Sequence, residues 1–391
     1  MIRYQDIPAA PDAVVPFPIH IPETALIDLA GRLERTRWPD AGTVTDGSQG
    51  PTLSAVRRLV ERWRDGYDWR SAEALLNGWG SSRTLIDGIG IHFLHVRSPE
   101  PDAVPLLLAH GWPGSVLEFR DAIGPLTDPA AYGSDPRQAF HLVIPSMPGF
   151  GFSDQPSEPG WNVGRVAAAW DELMLRLGYG QRWCAQGGDW GAAVVTALAQ
   201  MRARGLAGIH LTMVPFQPTD AEIRAATSEE RAMLADMKRY WDEQSGYMKL
   251  QNTRPQSIGF SLSDSPAGLA AWIYALFQDV TDSEGEPERV IALDHIIDDI
   301  MLYWLPNAGA SSARFYWENA RAASMPAETI DLPAGISVFP REAVRVSRRW
   351  AESRFADLRH YNQPDRGGHF AAMENPEALV ADLRATFRTL R

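Results

Sequence analysis

"CAQGGDWGAAV", residues 184–194, decides how the rest of the chain is read. Gly187 and Gly191 flank Asp189 at the G-x-Nu-x-G spacing of a strand-to-helix turn that presents a nucleophile. Small residues are needed there because the turn brings two backbones close together. The preceding run "RWCAQG" is strand-like and the following "AAVVTALAQMRAR" is helical, which is the context the motif requires. Many hydrolases mount a serine on such a turn, whereas here the central residue is a carboxylate. On these five residues alone, a Gly-rich turn whose Asp caps a helix is an equal alternative.

Working outward, "VPLLLAHGWPG" and "FHLVIPSMPGFGFSD" are short apolar runs that end in Gly/Pro-rich loops, the pattern of buried parallel strands. "RTLIDGIGIHFLHVRS" alternates apolar and polar positions around "DGIG" and predicts a β-hairpin. Helical "VGRVAAAWDELMLRLGY" precedes the turn, and strand-like "GIHLTMV" follows the helix after it. Strand-like "GISVFP" and "LRHYNQ" come later, and "NPEALVADLRATFRTL" closes the chain as an amphipathic helix. This alternation predicts a mostly parallel, doubly wound α/β sheet whose ligands sit beyond the carboxyl ends of the strands.

Two segments break the alternation. Residues 1–80 are rich in Pro and Trp and carry the helical patterns "PETALIDLAGRLERTRW" and "TLSAVRRLVERWRDGYDW", which predict a segment wrapping a neighbouring core. Residues 218–329 are mostly helical with many aromatics and predict a cap inserted between the two halves of the core, 81–217 and 330–391. Trp241, Phe260, Trp272 and Phe277 are its candidates for lining an apolar pocket, most of them expected in its core.

Composition limits the function classes. With 45% hydrophobic and 22% charged residues the chain reads as globular, and its formal net charge of −12 opposes nucleic acid or an anionic membrane surface as the main partner. The single cysteine, Cys184, lies in an apolar run and is expected to be buried in a reducing compartment. The N-terminus lacks a signal-peptide pattern and no apolar stretch is long enough to span a bilayer, so a soluble, cytoplasmic protein is expected. A homodimer is the assembly left open.

Three further segments give the turn a chemical setting. "HGWPG", residues 110–114, follows a strand where this architecture places half of an oxyanion hole, and the backbone N–H groups of Trp112 and Trp190 are the candidate donors. "RGGHFAAMENP" places His369 on the loop before the last helix, where a triad histidine belongs in the order nucleophile, acid, histidine. "ISVFPRE" offers Glu342 after a late strand as the acid, with Asp331 and Asp365 as rivals. The other histidines lack such context. His92 and His95 fall on opposite faces of a predicted strand, a poor metal pair, and "DHIIDD", 294–299, is expected to be a solvated helix face rather than a metal site.

Taken together, "HGWPG", "GGDWG", "FPRE", "RGGHFAA" and the N-terminal "PFPIHIPETALIDLAGRLERTRWPD" resemble the microsomal-type epoxide hydrolases of the α/β-hydrolase superfamily. The likeness runs from about residue 4 to the C-terminus. It implies an α/β-hydrolase fold with an N-terminal meander and a helical cap. It also maps the family's paired lid tyrosines onto Tyr247 in "SGYMKLQ" and Tyr316 in "RFYWEN", residues that would otherwise be read as core aromatics. The membrane anchor of mammalian relatives is not carried over, because the chain begins only a few residues before the meander-like segment.

The resemblance explains the aspartate. A serine attacking an epoxide would leave an ether, whereas a carboxylate leaves an ester that water can cleave. It implies attack by Asp189, proton donation by Tyr247 and Tyr316, and ester hydrolysis by water activated by His369 with Glu342 behind it. The substrate-binding set is then Trp112, Trp190, Tyr247 and Tyr316. The implied product is a vicinal diol, the expected substrate an apolar or aryl epoxide, and no cofactor or metal is called for. A haloalkane dehalogenase uses the same Asp/His logic, and a non-catalytic scaffold of the same fold is the rival of a different class. A serine esterase lacks its nucleophile, since Ser146 and Ser153 lie in a loop after another strand.

Overall fold

Asp87 and Gly88 both have positive φ, 50° and 78°, the geometry of a two-residue hairpin turn whose twist matches its strands. That turn joins β2 (Ser81–Ile86) to β3 (Ile89–Val96), with Ile86 opposite Ile89. The computed structural model describes residues 12–215, 217–322 and 328–390. The first eleven residues of the expected wrapping segment, and residues 323–327 near the end of the expected cap, lie outside the described residues.

The remaining strands are β1 (Val15–Pro16), β4 (Val104–Ala109), β5 (Phe140–Pro145), β6 (Trp183–Gly187), β7 (Leu206–Leu211), β8 (Ile330–Ser337) and β9 (Phe355–Asn362). They form one sheet in the order β1-β2-β3-β5-β4-β6-β7-β8-β9. The first three pairings are antiparallel and every pairing from β5 to β9 is parallel. The central strands β4 to β7 are buried almost continuously, as parallel strands covered by helices must be. Two helix pairs pack on the sheet, Val163–Arg176 with Asp189–Gln200 and Arg120–Thr127 with Pro376–Phe387. This is the α/β-hydrolase fold. Among the described residues no helix is long and apolar enough to cross a membrane.

The N-terminal segment differs in detail from its sequence pattern. Its second helical pattern is two helices, Leu53–Asp65 and Trp69–Gly78, broken at Gly66 and restarted by Asp68, whose side chain accepts the Arg70 N–H. Between β7 and β8 the chain is helical through most of residues 220–319, including Ser228–Arg239, Gly246–Thr253, Pro266–Val280, Leu293–Trp304 and Gly309–Asn319.

The N-terminal helices grip this insertion. Arg62 pairs with Asp294 at 2.6 Å, Arg58 with Glu288 at 2.8 Å, and Tyr67 Oη donates to Asp298 at 2.6 Å. Asp298 also pairs with Arg120 and is buried, as is Asp299. The "DHIIDD" segment is therefore not a solvated face. Its acidic side binds cations and a hydroxyl that lie far away in sequence, so no local pattern announces them. Of the cap aromatics, Phe260 and Trp241 are exposed, while Phe277 is buried against Phe370 with ring centroids 4.1 Å apart.

Candidate active site

β4, β6 and β8 run parallel, so the loops after Ala109, Gly187 and Ser337 gather at one edge of the sheet. The loop after β6 turns at once into the helix Asp189–Gln200, and Asp189 itself takes φ 46°. A non-glycine residue in that region stores about 1–3 kcal/mol of strain. The flanking glycines are required by contact: a Cβ on Gly191 would lie 1.9 Å from the Ala109 carbonyl oxygen, and one on Gly187 would lie 2.4 Å from the Gly191 carbonyl carbon.

The turn aims the Asp189 carboxylate at the "HGWPG" loop. Trp112 N–H donates to Asp189 Oδ1 at 2.8 Å, and the Trp190 N–H also bonds the carboxylate. Gly111 allows this approach, because a Cβ there would lie 2.2 Å from Asp189 Oδ1. Burial raises the Asp189 carboxyl above its usual range, while His369 and the two backbone donors work to hold it ionised.

The other carboxylate oxygen, Oδ2, faces His369 Nε2 at 3.6 Å. On the far side of the ring, His369 Nδ1 lies 2.9 Å from Glu342 Oε2, and Glu342 Oε1 accepts the Val344 N–H at 3.2 Å. Asp331 is exposed at the opposite end of β8, and Asp365 is exposed on the histidine loop. Of the three acids weighed for this position, Glu342 is the one that meets the imidazole. The loop is pinned by the His369 N–H donating to the Val280 carbonyl at 3.0 Å. Burial opposes charge on His369, yet Glu342 and Asp189 outweigh it and push the imidazole up to about 10. The ring is therefore cationic between two carboxylates at neutral pH.

Aromatic rings close the space around Asp189. Trp112 stacks on Tyr247 with centroids 5.1 Å apart, and Tyr316 stands edge-on to Trp190 at 5.0 Å, Trp112 at 5.7 Å and Tyr247 at 5.9 Å. Tyr247 comes from the helix Gly246–Thr253 and Tyr316 from the helix Gly309–Asn319. Burial, reinforced by Asp189 nearby, raises both phenols well above their usual range, so both carry a proton to give. The Tyr316 hydroxyl is buried, and among the described residues it has no partner in full hydrogen-bond geometry, with Tyr247 and Trp190 the side chains whose hydrogen-bonding groups act on it. Tyr247 Oη lies 2.7 Å from Tyr240 Oη.

Tyr240 was not singled out in the sequence, although its place seven residues before Tyr247 puts the two at helical spacing. The fold thus brings Asp189, His369, Glu342, Tyr247, Tyr316 and the Trp112 and Trp190 backbones into one cluster. The remaining candidates do other work. His92 is fully buried between Ser81 Oγ at 3.1 Å and Ser146 Oγ at 3.0 Å, while His95 bonds Tyr179 Oη at 2.8 Å. Ser153 Oγ donates to the Ser146 carbonyl, so both serines belong to a structural hydrogen-bond cluster.

Comparison with known proteins supplies the family. Residues 14–119 match the family described as epoxide hydrolase N terminus, and residues 104–244 match the alpha/beta hydrolase fold. A protein of Stigmatella aurantiaca named "Putative epoxide hydrolase" is 52% identical over 97% of this chain and 86% of its own length. Epoxide hydrolase 1 of Sus scrofa is 34% identical over 96% of this chain and 89% of its own. The chain belongs to the epoxide hydrolases.

Solved epoxide hydrolases superpose over nearly its whole length. The Aspergillus niger enzyme gives a TM-score of 0.87 at 30% identity, covering 99% of both chains. The juvenile hormone epoxide hydrolase of Bombyx mori gives 0.88 at 29% identity, covering 97% of this chain and 95% of that one. An epoxide hydrolase adds water across a strained C–O bond, so its site needs a nucleophile, a proton donor for the ring oxygen and a way to hydrolyse any ester formed. The family sets aside the haloalkane dehalogenase and scaffold readings.

Proposed function

We propose that this epoxide hydrolase works through an ester on Asp189, with an apolar or aryl epoxide as substrate. The observation that carries the reading is the division of labour between the two Asp189 oxygens. Oδ1 accepts the Trp112 N–H, while Oδ2 faces His369 under the two tyrosines.

In the first step an Asp189 oxygen attacks a ring carbon and the C–O bond breaks. Its electrons go to the ring oxygen, which takes a proton from the tyrosine pair. Asp189 is then a neutral ester, and with the charge that helped hold it protonated gone, His369 releases its proton to solvent and becomes a base. In the second step His369 takes a proton from water, and the water oxygen adds to the Asp189 carbonyl carbon. Glu342 stabilises the imidazolium that forms. Oδ1 becomes an oxyanion already held by the Trp112 N–H, with the Trp190 N–H as the second donor at the carboxyl, and removal of one such donor costs about 3 kcal/mol in comparable sites. On collapse the leaving alkoxide takes the proton of the added hydroxyl, so that the diol departs, the carboxylate is restored and His369 is again protonated.

The aromatic walls formed by Trp112, Trp190, Phe315, Tyr247 and Tyr316 support an apolar or aryl group beside the epoxide. The test is to expose the His369→Gln protein to a panel of alkyl and aryl epoxides and to map the added mass by peptide mass spectrometry. An adduct equal to the intact epoxide on Asp189 is expected. Adducts elsewhere, or none with any epoxide that the native enzyme turns over, would refute the ester mechanism.

A further inference from the structure

Among the described residues, Tyr240 is the buried hydroxyl bonded directly to the tyrosine pair that the proposed chemistry leaves without a task. The residue is 8% exposed and its side-chain oxygen lies 2.7 Å from Tyr247 Oη. Seven residues of straight α-helix would hold two side chains roughly 10 Å apart along the axis. Here the helix Ser228–Arg239 runs into a wide π turn, Tyr240–Gln244, and then restarts at Gly246. Such turns often mark functional positions, and this one lets the two phenols meet.

We infer that Tyr240 is a positioning residue: its O–H donates to Tyr247 Oη, turns the Tyr247 proton toward the epoxide oxygen, and resupplies that proton once it is spent. The inference rests on the ester mechanism proposed above. A phenol has one proton, so if Tyr247 donated to Tyr240 it would have none for the substrate. Among the described residues Tyr316 Oη has no partner in full hydrogen-bond geometry; the side chains whose hydrogen-bonding groups act on it are Tyr247 itself and Trp190, so Tyr240 reaches the pair through Tyr247.

The proton balance asks for a supply of this kind. Ring opening by a carboxylate consumes one proton at the alkoxide, and ester hydrolysis later releases one at His369. When Tyr247 gives up its proton, the Tyr240 hydrogen bond stabilises the phenolate left behind. The Tyr240 proton then moves to Tyr247, and Tyr240 takes one from solvent. A cavity of about 1110 Å³ is lined by both tyrosines together with Gln244, Trp272 and Glu342, which gives solvent a path to the pair. The electrostatics agree in direction: the Tyr240 hydrogen bond lowers the Tyr247 phenol, against the larger rise due to burial. Asp189 and Tyr316 are the groups facing Tyr247 that raise it, and Asp189 and Glu342 act likewise on Tyr240.

The experiment measures the rate of Asp189 alkylation in a single turnover, by quench and mass spectrometry, with the His369→Gln protein as parent and the fastest-reacting epoxide of a panel. Tyr240→Phe is expected to slow alkylation about ten- to a hundredfold, the effect of losing one hydrogen bond to a developing charge. The melting temperature should stay within about 2 °C and the affinity of the initial epoxide complex should not change. With Tyr247→Phe already present, adding Tyr240→Phe should have no further effect, because Tyr240 acts through Tyr247. Equal slowing in both backgrounds would mean a structural role and overturn the inference, as would an unchanged rate in Tyr240→Phe. If the parent forms no adduct on Asp189 with any epoxide, the ester mechanism fails first, and the inference falls with it.

Discussion

His369 Nε2 stands 3.6 Å from Asp189 Oδ2, within an ion pair's reach and beyond a hydrogen bond's. With Glu342 on its other nitrogen the ring is held as a cation, pushed up to about 10, and a cation cannot take a proton from water. The first chemical step lifts this block if Asp189 becomes a neutral ester. Asp189→Asn imitates that state. In an NMR titration His369 is expected to lose its proton about one to three pH units lower in Asp189→Asn than in the native protein, the usual effect of removing an opposite charge at this range. An unchanged titration would mean that Glu342 alone sets the imidazole. The same pairing has a stability consequence of fixed sign. The folded value lies above the ordinary 6.5, so the stabilisation is complete below about pH 6.5 and is lost as pH rises through about 10.

The two oxygens of Asp189 give an isotope prediction. If water adds to the ester carbonyl, the oxygen delivered to the diol is the one that attacked, and the water oxygen stays in the carboxylate. A single turnover in ¹⁸O-water should therefore release unlabelled diol and leave the label in the peptide containing Asp189. Label in the diol after one turnover would mean direct attack of water on the ring.

The tyrosine pair is expected to act in only one of the two steps. In the proposed mechanism Tyr247 and Tyr316 serve the alkoxide, whereas the ester carbonyl is served by the backbone donors at Trp112 and Trp190. Replacing both tyrosines by Phe should slow alkylation about 10²- to 10⁴-fold, the usual range for a general acid, with ester hydrolysis changed far less. Rapid-quench measurement of the two rates separates these outcomes, and equal slowing of both would remove the acid role.

Sequence makes legible what is written in local spacing. The parallel strands appear as apolar runs ending in Gly/Pro loops, the hairpin as "DGIG", and the turn at Asp189 as two glycines whose need is a backbone contact. The chain order of Asp189, Glu342 and His369 is readable for the same reason, because each follows a strand end. Long-range pairing is not written this way. Asp298 looks like one more acid on a helix face, and only the fold shows Arg120 and Tyr67 closing on it. The strand Val15–Pro16 is two residues long and includes a proline, so no alternation reveals it; it survives at the sheet edge by pairing with β2. Tyr240 had the right spacing to Tyr247, but their hydrogen bond depends on a wide helical turn that the pattern does not encode.

The glycines of the turn give a prediction about stability and chemistry together. A Cβ on Gly191 would sit 1.9 Å from the Ala109 carbonyl oxygen and 2.8 Å from that of His110. Both are backbone atoms at the end of a central strand, so neither can swing away as a side chain would. Gly191→Ala must therefore push the helix Asp189–Gln200 off β4, at a cost of about 3 kcal/mol, the upper part of the range for overpacking a core. The displacement would also draw Asp189 away from the Trp112 N–H, which now stands 2.8 Å from its carboxylate. Gly246→Ala is the control, since a Cβ there meets nothing within 4 Å. Chemical denaturation should show a large loss for Gly191→Ala and little change for Gly246→Ala, and Asp189 alkylation should slow in the first variant even where it remains folded. A Gly191→Ala protein as stable and as reactive as the native chain would mean that the close approach of β4 and the helix does not hold the carboxylate in place.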